Sequence, residues 1–157
     1  MAKITIGKKI PDFSLKNQDG GKFKLSDLKG SIVVLFFYPK DNTPGCTQEA
    51  CDFRDNLKQL KRKGVEVIGI SPDSESSHQK FIAKQDLNFD LLSDEDKKVS
   101  SLFEVWKEKS MYGKKYMGIE RSTFIIGSDG KLLQEYRKVK VKGHVDEVSS
   151  FIAEIKS

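Results

Sequence analysis

Two thiols are the residues of this sequence best suited to covalent chemistry. Both lie in the stretch DNTPGCTQEAC, as Cys46 and Cys51, directly behind a Thr-Pro-Gly turn. Such a pair can be a structural disulfide, half of a metal site, two buried thiols, or a reactive pair in which one attacks and the other resolves. The rest of the chain weighs these choices. Its longest apolar run, IVVLFFY, is far short of the roughly 18 residues of a membrane helix. The opening MAKITIGKKIPDF has no hydrophobic segment of the signal-peptide kind. A cytoplasmic protein without membrane association is expected, and there thiols stay reduced and disulfides are mostly transient. A structural disulfide is therefore disfavoured.

The residues before Cys46 suggest how a thiol there could be activated. Thr43 suits a helix N-cap, and Pro44 suits the first helical position, where its missing N–H would be unpaired anyway. Gly45 has no Cβ to block close approach, and Cys46 falls in the first turn. A thiolate there faces unpaired backbone N–H groups and the positive end of the helix dipole. A free cysteine, with a pKa of about 8.5, is only about 3% thiolate at pH 7. Making it mostly thiolate takes about two units, or about 2.7 kcal/mol. One helix terminus supplies about 0.3–1 kcal/mol. A reactive Cys46 therefore needs a cation brought from elsewhere in the fold.

Cys51 lies five residues on. In a regular helix that is a rise of about 7.5 Å and a turn of about 140°. The Cα atoms would stand roughly 8–9 Å apart, beyond the ~7 Å reach of a disulfide. If both cysteines are helical, they can bond only after part of the helix unwinds. A metal is poorly served, because the only histidines, His78 and His144, are distant and C-x4-C lacks a second ligand pair. Each histidine reads instead as a surface or capping residue. There is no C-x-x-C and no phosphate-loop, dinucleotide or zinc-protease string.

The 157 residues, 37% hydrophobic and 32% charged, fit one globular domain spanning 1–157. A net charge of +5 raises nucleic-acid binding, but the basic residues are scattered. Near the C-terminus, Lys138, Lys140 and Lys142 alternate with Val139 and Val141 just after Arg137. That pattern predicts a strand with one solvated face, so no nucleic-acid partner is expected.

The elements follow from periodicity. FSLKNQDGGKFKL predicts an N-terminal hairpin over 13–25. SIVVLFFYP predicts a strand buried on both faces and ended by Pro39. Ala50, Phe53, Leu57 and Leu60 then recur at helical spacing up to Gly64, a suitable C-terminal cap. VEVIGI predicts a second buried strand, parallel to the first through a right-handed crossover. SPDSE opens a helix carrying Phe81 and Ile82, and a shorter helix is expected over 95–104. STFIIGSDGKLLQEYRKV predicts a hairpin around Asp129-Gly130. HVDEVSSFIAEI predicts a closing amphipathic helix with Val145, Val148, Phe151, Ile152 and Ile155 on its apolar face. The expected fold is α/β and thioredoxin-like: a central mixed β-sheet flanked by helices, with an N-terminal β-hairpin.

YPKDNTPGCTQEAC resembles the active-site segment of the peroxiredoxins, P-x-x-x-[TS]-x-x-C, here Pro39, Thr43 and Cys46. Together with VWKEKSMYGKKYMGIERSTFII, it resembles the bacterioferritin comigratory protein, or peroxiredoxin Q, subfamily. The likeness runs from about residue 7 to residue 150. Glu104 departs from it by standing where a glycine is expected. The resemblance implies a thiol peroxidase without metal, haem or flavin. It implies Cys46 as the peroxidatic cysteine, Thr43 as a hydroxyl that helps hold peroxide, and Arg121 as the cation beside the thiolate. Pro39 is implied to shield a substrate pocket to which Gly45 contributes, and Cys51 to be the resolving cysteine. Cys46 would then form a sulfenic acid, and Cys51 would close an intramolecular disulfide. Thioredoxin or a similar dithiol would reduce it, and a monomer would suffice.

From the residues alone, blander roles stand beside these. Thr43 can be only an N-cap, Arg121 a surface ion-pair residue, and Glu49 a carboxylate that favours the helix N-terminus. Trp106, Tyr112 and Tyr116 read as packing residues rather than peroxide contacts. Two rival functions are a thiol–disulfide exchange protein without peroxidase activity and a basic binding module with redox-sensing cysteines. Rapid oxidation of Cys46 by stoichiometric peroxide excludes the first. A steep salt dependence of nucleic-acid affinity without turnover would mark the second.

Overall fold

The IVVLFF run becomes the central strand of the apolar interior. In the computed structural model, which describes residues 4–156, it is the third strand, β3 (Ile32–Phe37), with all six residues buried. The two ends of the expected domain, 1–3 and 157, lie outside the described residues. Before β3 comes the expected hairpin, β1 (Ser14–Asn17) and β2 (Lys22–Lys24), paired antiparallel. After β3 come helix α1 (Pro44–Arg62) and strand β4 (Val65–Ser71), which runs parallel to β3. Gly64 sits between α1 and β4 with φ +77°. It supplies the left-handed conformation that ends the helix, as its position predicted.

Helix α2 (Glu75–Gln85) is capped by the Ser74 hydroxyl, which accepts from the Ser77 amide. Strand β5 (Leu91–Ser93) and helix α3 (Lys98–Leu102) follow, the helix occupying only the middle of the expected 95–104. Strands β8 (Ser122–Ile126) and β9 (Leu132–Tyr136) form the expected hairpin, and α4 (His144–Lys156) closes the chain. The seven strands of the main sheet lie in the order β2-β1-β5-β4-β3-β8-β9. Two further strands, β6 (Trp106–Met111) and β7 (Lys114–Ile119), pair only with each other. They turn at Tyr112-Gly113, both with positive φ. Their Lys-rich sequence lacks the apolar alternation that marks a strand, and periodicity missed them.

Because β3 alternates faces, it nucleates two cores. Val34 and Phe36 pack with Phe53, Leu57, Phe81, Val148 and Ile152 on the side of α1, α2 and α4. Val33, Leu35 and Phe37 pack with Val99, Phe103 and Phe124 on the other. Neither side of the strand meets water, which is why its sequence is continuously apolar. Among the described residues, no helix is long and apolar enough to cross a membrane.

Two expectations need correction here. The segment from Arg137 to Lys142 is not a strand, because β9 ends at Tyr136 and Lys138 takes a left-handed φ of +50°. Val139 instead donates its amide to the Arg121 carbonyl. Burial still alternates along the segment, with the valines half-buried and the lysines exposed. The period-2 signal was real, but it reflects an irregular segment lying against the body. Ile155, assigned to the apolar face of α4, is 41% exposed at the last turn.

Glu104 occupies the position where the family pattern led us to expect glycine, and its φ is +59°. The backbone has kept the glycine conformation and imposes it on a side chain with a Cβ, at a cost of about 1 kcal/mol. Replacement Glu104→Gly should raise stability by about 0.5–1 kcal/mol, or a Tm rise of roughly 1–4 °C. Thermal unfolding followed by circular dichroism checks this, and an unchanged or lower Tm would show the turn to be unstrained.

Candidate active site

The segment from β3 to α1 is built by local bonds before any distant residue arrives. Tyr38 continues the ladder of β3 by donating its amide to the Ile70 carbonyl at 3.1 Å. Asn42 takes a left-handed φ of +63°, a conformation that asparagine tolerates better than most residues. Thr43 has the extended N-cap backbone (φ −88°, ψ 153°), but its hydroxyl makes no capping bond. It donates backwards to the Lys40 carbonyl at 2.8 Å. The N-cap position was read correctly and the side-chain role was not. With its proton committed to Lys40, the Thr43 oxygen keeps lone pairs for another donor. Pro39 is half-buried beside it.

Cys46 lies in the first turn of α1 and is 1% exposed. The amides of Gly45 and Cys46 have no carbonyl four residues back within the helix. Arg121, in the two-residue joint between β7 and β8, reaches across to this turn. Its Nη2 lies 3.4 Å from the Cys46 sulfur, and its Nη1 donates to Glu49 Oε1 at 2.8 Å. A Cβ on Gly45 would stand 3.1 Å from that same Nη2. Glycine here keeps the space through which the guanidinium approaches the sulfur.

Glu49 is the residue that sequence reasoning undervalued. It is fully buried, one helical turn beyond Cys46, and a dipole-favouring surface carboxylate is not what it provides. Burial drives its pKa up, the Arg121 charge and hydrogen bond pull it back, and Asp52 pushes it up again, leaving it at about 7. Its Oε2 has no hydrogen-bond partner among the described residues. The spacing of three from Cys46 could have pointed to a shared helix face, but nothing local announced burial. Burial also pulls Arg121 down, but Glu49 and Cys46 outweigh it and hold the guanidinium above its ordinary value. Lys109 of β6 is lowered by burial and by Arg121, against the attraction of Cys46 and Glu120.

Cys51 faces elsewhere. It is half-buried, and its thiol donates to Gln85 Oε1 at the end of α2, 3.5 Å away. Arg54 ties the same place by donating to the Gln85 carbonyl at 2.6 Å. Both cysteines are free thiols in one unbroken helix, pointing to different neighbours as the 140° of turn demands.

The two histidines are core residues, contrary to the surface or capping role expected. His78 is fully buried and His144 is 2% exposed. His144 lies 2.7 Å from the Thr123 hydroxyl and 3.0 Å from Glu147. Burial lowers its pKa, Glu147 raises it, and Arg121 lowers it further, for a net decrease. The packing role expected of Tyr112 and Tyr116 also fails, since they are 98% and 44% exposed on the β6–β7 ribbon. Trp106 does pack, against the core beside α3 and under the Lys97 ammonium. Ligand atoms of Asp41, Asp73 and His78 lie within 4.8 Å of one another. Those of Asp41 are already engaged by Tyr38, Ser77 and His78, so the group holds itself together by hydrogen bonds.

Comparison with known proteins places this geometry. The AhpC/TSA family model matches residues 6–135. The chain is 55% identical over 144 residues to the peroxiredoxin Bcp of Bacillus subtilis, covering 92% of each chain. It is 46% identical over 154 residues to the peroxiredoxin Bcp of Escherichia coli K12, covering 98% of this chain and 99% of that one. The chain belongs to the AhpC/TSA family and is a peroxiredoxin. Its structure is similar to that of the bacterioferritin comigratory protein of Xanthomonas campestris, with a TM-score of 0.91 at 40% identity over 98% of this chain and 100% of that one. It is similar also to a PrxQ mutant from Xylella fastidiosa, with a TM-score of 0.94 at 38% identity over the whole of both chains. The thioredoxin-like fold expected from element order is thus the fold of this peroxiredoxin.

Glu49 gives the peroxiredoxin a pH signature. An unfolded glutamate ionises near 4.5, whereas folded Glu49 holds its proton to about 7. Between those values the unfolded state has released a proton that the folded state keeps, so stability falls as pH rises through this window. The loss is on the order of 3 kcal/mol. Glu49→Gln cannot ionise, so its Tm relative to wild type should climb from pH 4.5 to 7 and then level off. Parallel Tm curves across that range would refute a buried, proton-holding Glu49.

Proposed function

We propose that this peroxiredoxin reduces hydrogen peroxide and organic hydroperoxides through Cys46, and that Cys51 resolves the product to an intramolecular disulfide. The observation that carries the reading is the Arg121 guanidinium 3.4 Å from the sulfur of Cys46 in a buried first helical turn. It is the cation whose need followed from the weakness of one helix terminus.

The Cys46 thiolate attacks one oxygen of ROOH, the S–O bond forms as the O–O bond breaks, and the alkoxide takes a proton to leave as alcohol or water. Cys46 becomes a sulfenic acid. Arg121 and the free first-turn amides stabilise the negative charge as it moves from sulfur to the leaving oxygen. The Thr43 oxygen, its own proton turned to Lys40, accepts from the peroxide O–H. Pro39 shields one side of the approach, and Gly45 leaves room for Arg121. When Glu49 carries its proton, the Arg121 charge is not shared with a carboxylate. Alkyl peroxides fall within the reading because the Xanthomonas relative was studied for alkyl peroxide reduction.

The first turns of α1 then unwind, Cys51 leaves Gln85, and its sulfur displaces water from the sulfenic acid to form the disulfide. An external dithiol, thioredoxin or one like it, reduces that bond by exchange. Both thiols come from one helix, so a monomer completes the cycle, and the cytoplasm suits its reducing step.

Stopped-flow oxidation of the reduced protein by hydrogen peroxide, with thiol counting and intact mass, tests the whole reading. Cys51→Ser should consume one equivalent of peroxide and then stop turning over with thioredoxin; sustained turnover would remove Cys51 from the resolving role. Arg121→Ala should slow oxidation of Cys46 by about 10²-fold or more and displace the pH–rate profile to higher pH. An unchanged profile would mean that the guanidinium does not act on the thiolate.

A further inference from the structure

A second ionisable cluster lies under the active-site loop and is not used by the chemistry above. Asp41 and His78 are both buried, their side chains 1% and 0% exposed, with His78 Nδ1 2.7 Å from Asp41 Oδ2. Polar groups withdrawn from water are costly unless they are hydrogen-bonded. Here they are. Tyr38 donates its hydroxyl to Asp41 Oδ1 at 2.6 Å, and Ser77 donates to Oδ2 at 2.8 Å. His78 Nε2 lies 3.0 Å from the Leu92 carbonyl. That carbonyl can only accept, so Nε2 carries a hydrogen, and a further proton is held between Nδ1 and the carboxylate. The Asp41 amide is also taken, by Asp73 Oδ2 at 2.8 Å, which accepts in turn from Ser71.

Asp41 is thereby fastened by side chain and backbone, two residues before Thr43 and five before Cys46. Between it and Thr43, Asn42 turns the chain with its left-handed φ of +63°. The fastening comes from the N-terminal turn of α2, and the other end of α2 accepts the Cys51 thiol at Gln85.

We propose that the Asp41–His78 bond is a positioning device for the peroxidase step: it pins the loop of Pro39 to Thr43, setting the Thr43 hydroxyl against the Cys46 thiolate. His78 touches neither the thiol nor the loop's own hydroxyl, so it acts through Asp41. The inference rests on Cys46 being the attacking thiol.

The test confines the reaction to its first step with a Cys51→Ser background and follows oxidation by hydrogen peroxide in stopped flow. His78→Asn keeps an amide donor near the position of Nδ1, facing Asp41. His78→Gln places its amide near Nε2, facing Leu92 and leaving Asp41 without that partner. His78→Asn should oxidise within about threefold of the parent and His78→Gln at least tenfold more slowly, with both compared at a temperature where each is folded by circular dichroism. Equal rates in the two variants overturn the proposal, because a residue that only fills space is indifferent to which nitrogen is retained. Should His78→Gln not fold, Tyr38→Phe decides, since it removes a donor from Asp41 and keeps the ring. A slowing of about threefold or more then supports the proposal and an unchanged rate overturns it. A Cys51→Ser parent that oxidises no faster than a free thiol would instead refute Cys46 as the attacking thiol, and the inference with it.

Discussion

The contact between Arg121 and Cys46 is the interaction on which the rest depends. It joins residues 75 positions apart, and neither end could supply it alone. The helix terminus contributes too little to hold a thiolate at neutral pH. A guanidinium in solution would be screened and mobile. The fold solves both problems by setting α1 on one side of β3 and the β7–β8 joint beside it, since β3 pairs directly with β8. A strand buried on both faces therefore fixes the distance between sulfur and cation, and in the proposed function it is part of the catalytic apparatus.

That contact brings a third partner. Arg121 divides its two terminal nitrogens between Cys46 and Glu49. A carboxylate fully ionised there would compete with the thiolate for the same charge. Burial limits this competition below neutrality by raising the Glu49 pKa to about 7. Desolvation disfavours the charged form of any buried acid, and at Glu49 it outweighs the pull of Arg121.

The disulfide proposed between Cys46 and Cys51 calls for the reverse of rigidity. Cys46 is held toward Arg121 and Cys51 toward Gln85, on different faces of one helix. The turns between them must come apart, and no repacking of side chains can substitute. What resists this lies downstream of Cys46, in Ala50, Phe53 and Leu57, all buried against the sheet. Upstream, the loop is bonded through Tyr38, Asp41 and Thr43. The turn carrying Cys46 thus lies between the bonded loop and the buried body of α1.

What the sequence by itself determined is whatever depends on neighbours along the chain. Helical spacing over Ala50 to Leu60, unbroken apolarity at β3, Gly64 as a stop and the cysteine pair at an incompatible angle are all local. So is the Thr43-Pro44-Gly45 approach to Cys46. The β6–β7 ribbon escaped because it pairs only with itself and buries too little to leave a pattern. Residues 137–142 misled because alternate burial needs no strand. Arg121 was one of 28 basic residues and was singled out only by family likeness. Glu49 read as a carboxylate favouring the helix N-terminus, and His78 and His144 as surface or capping residues. Their roles were decided by tertiary structure alone, because desolvation and pairing across the fold depend on what surrounds a side chain in space, and spacing along the chain carries no record of that.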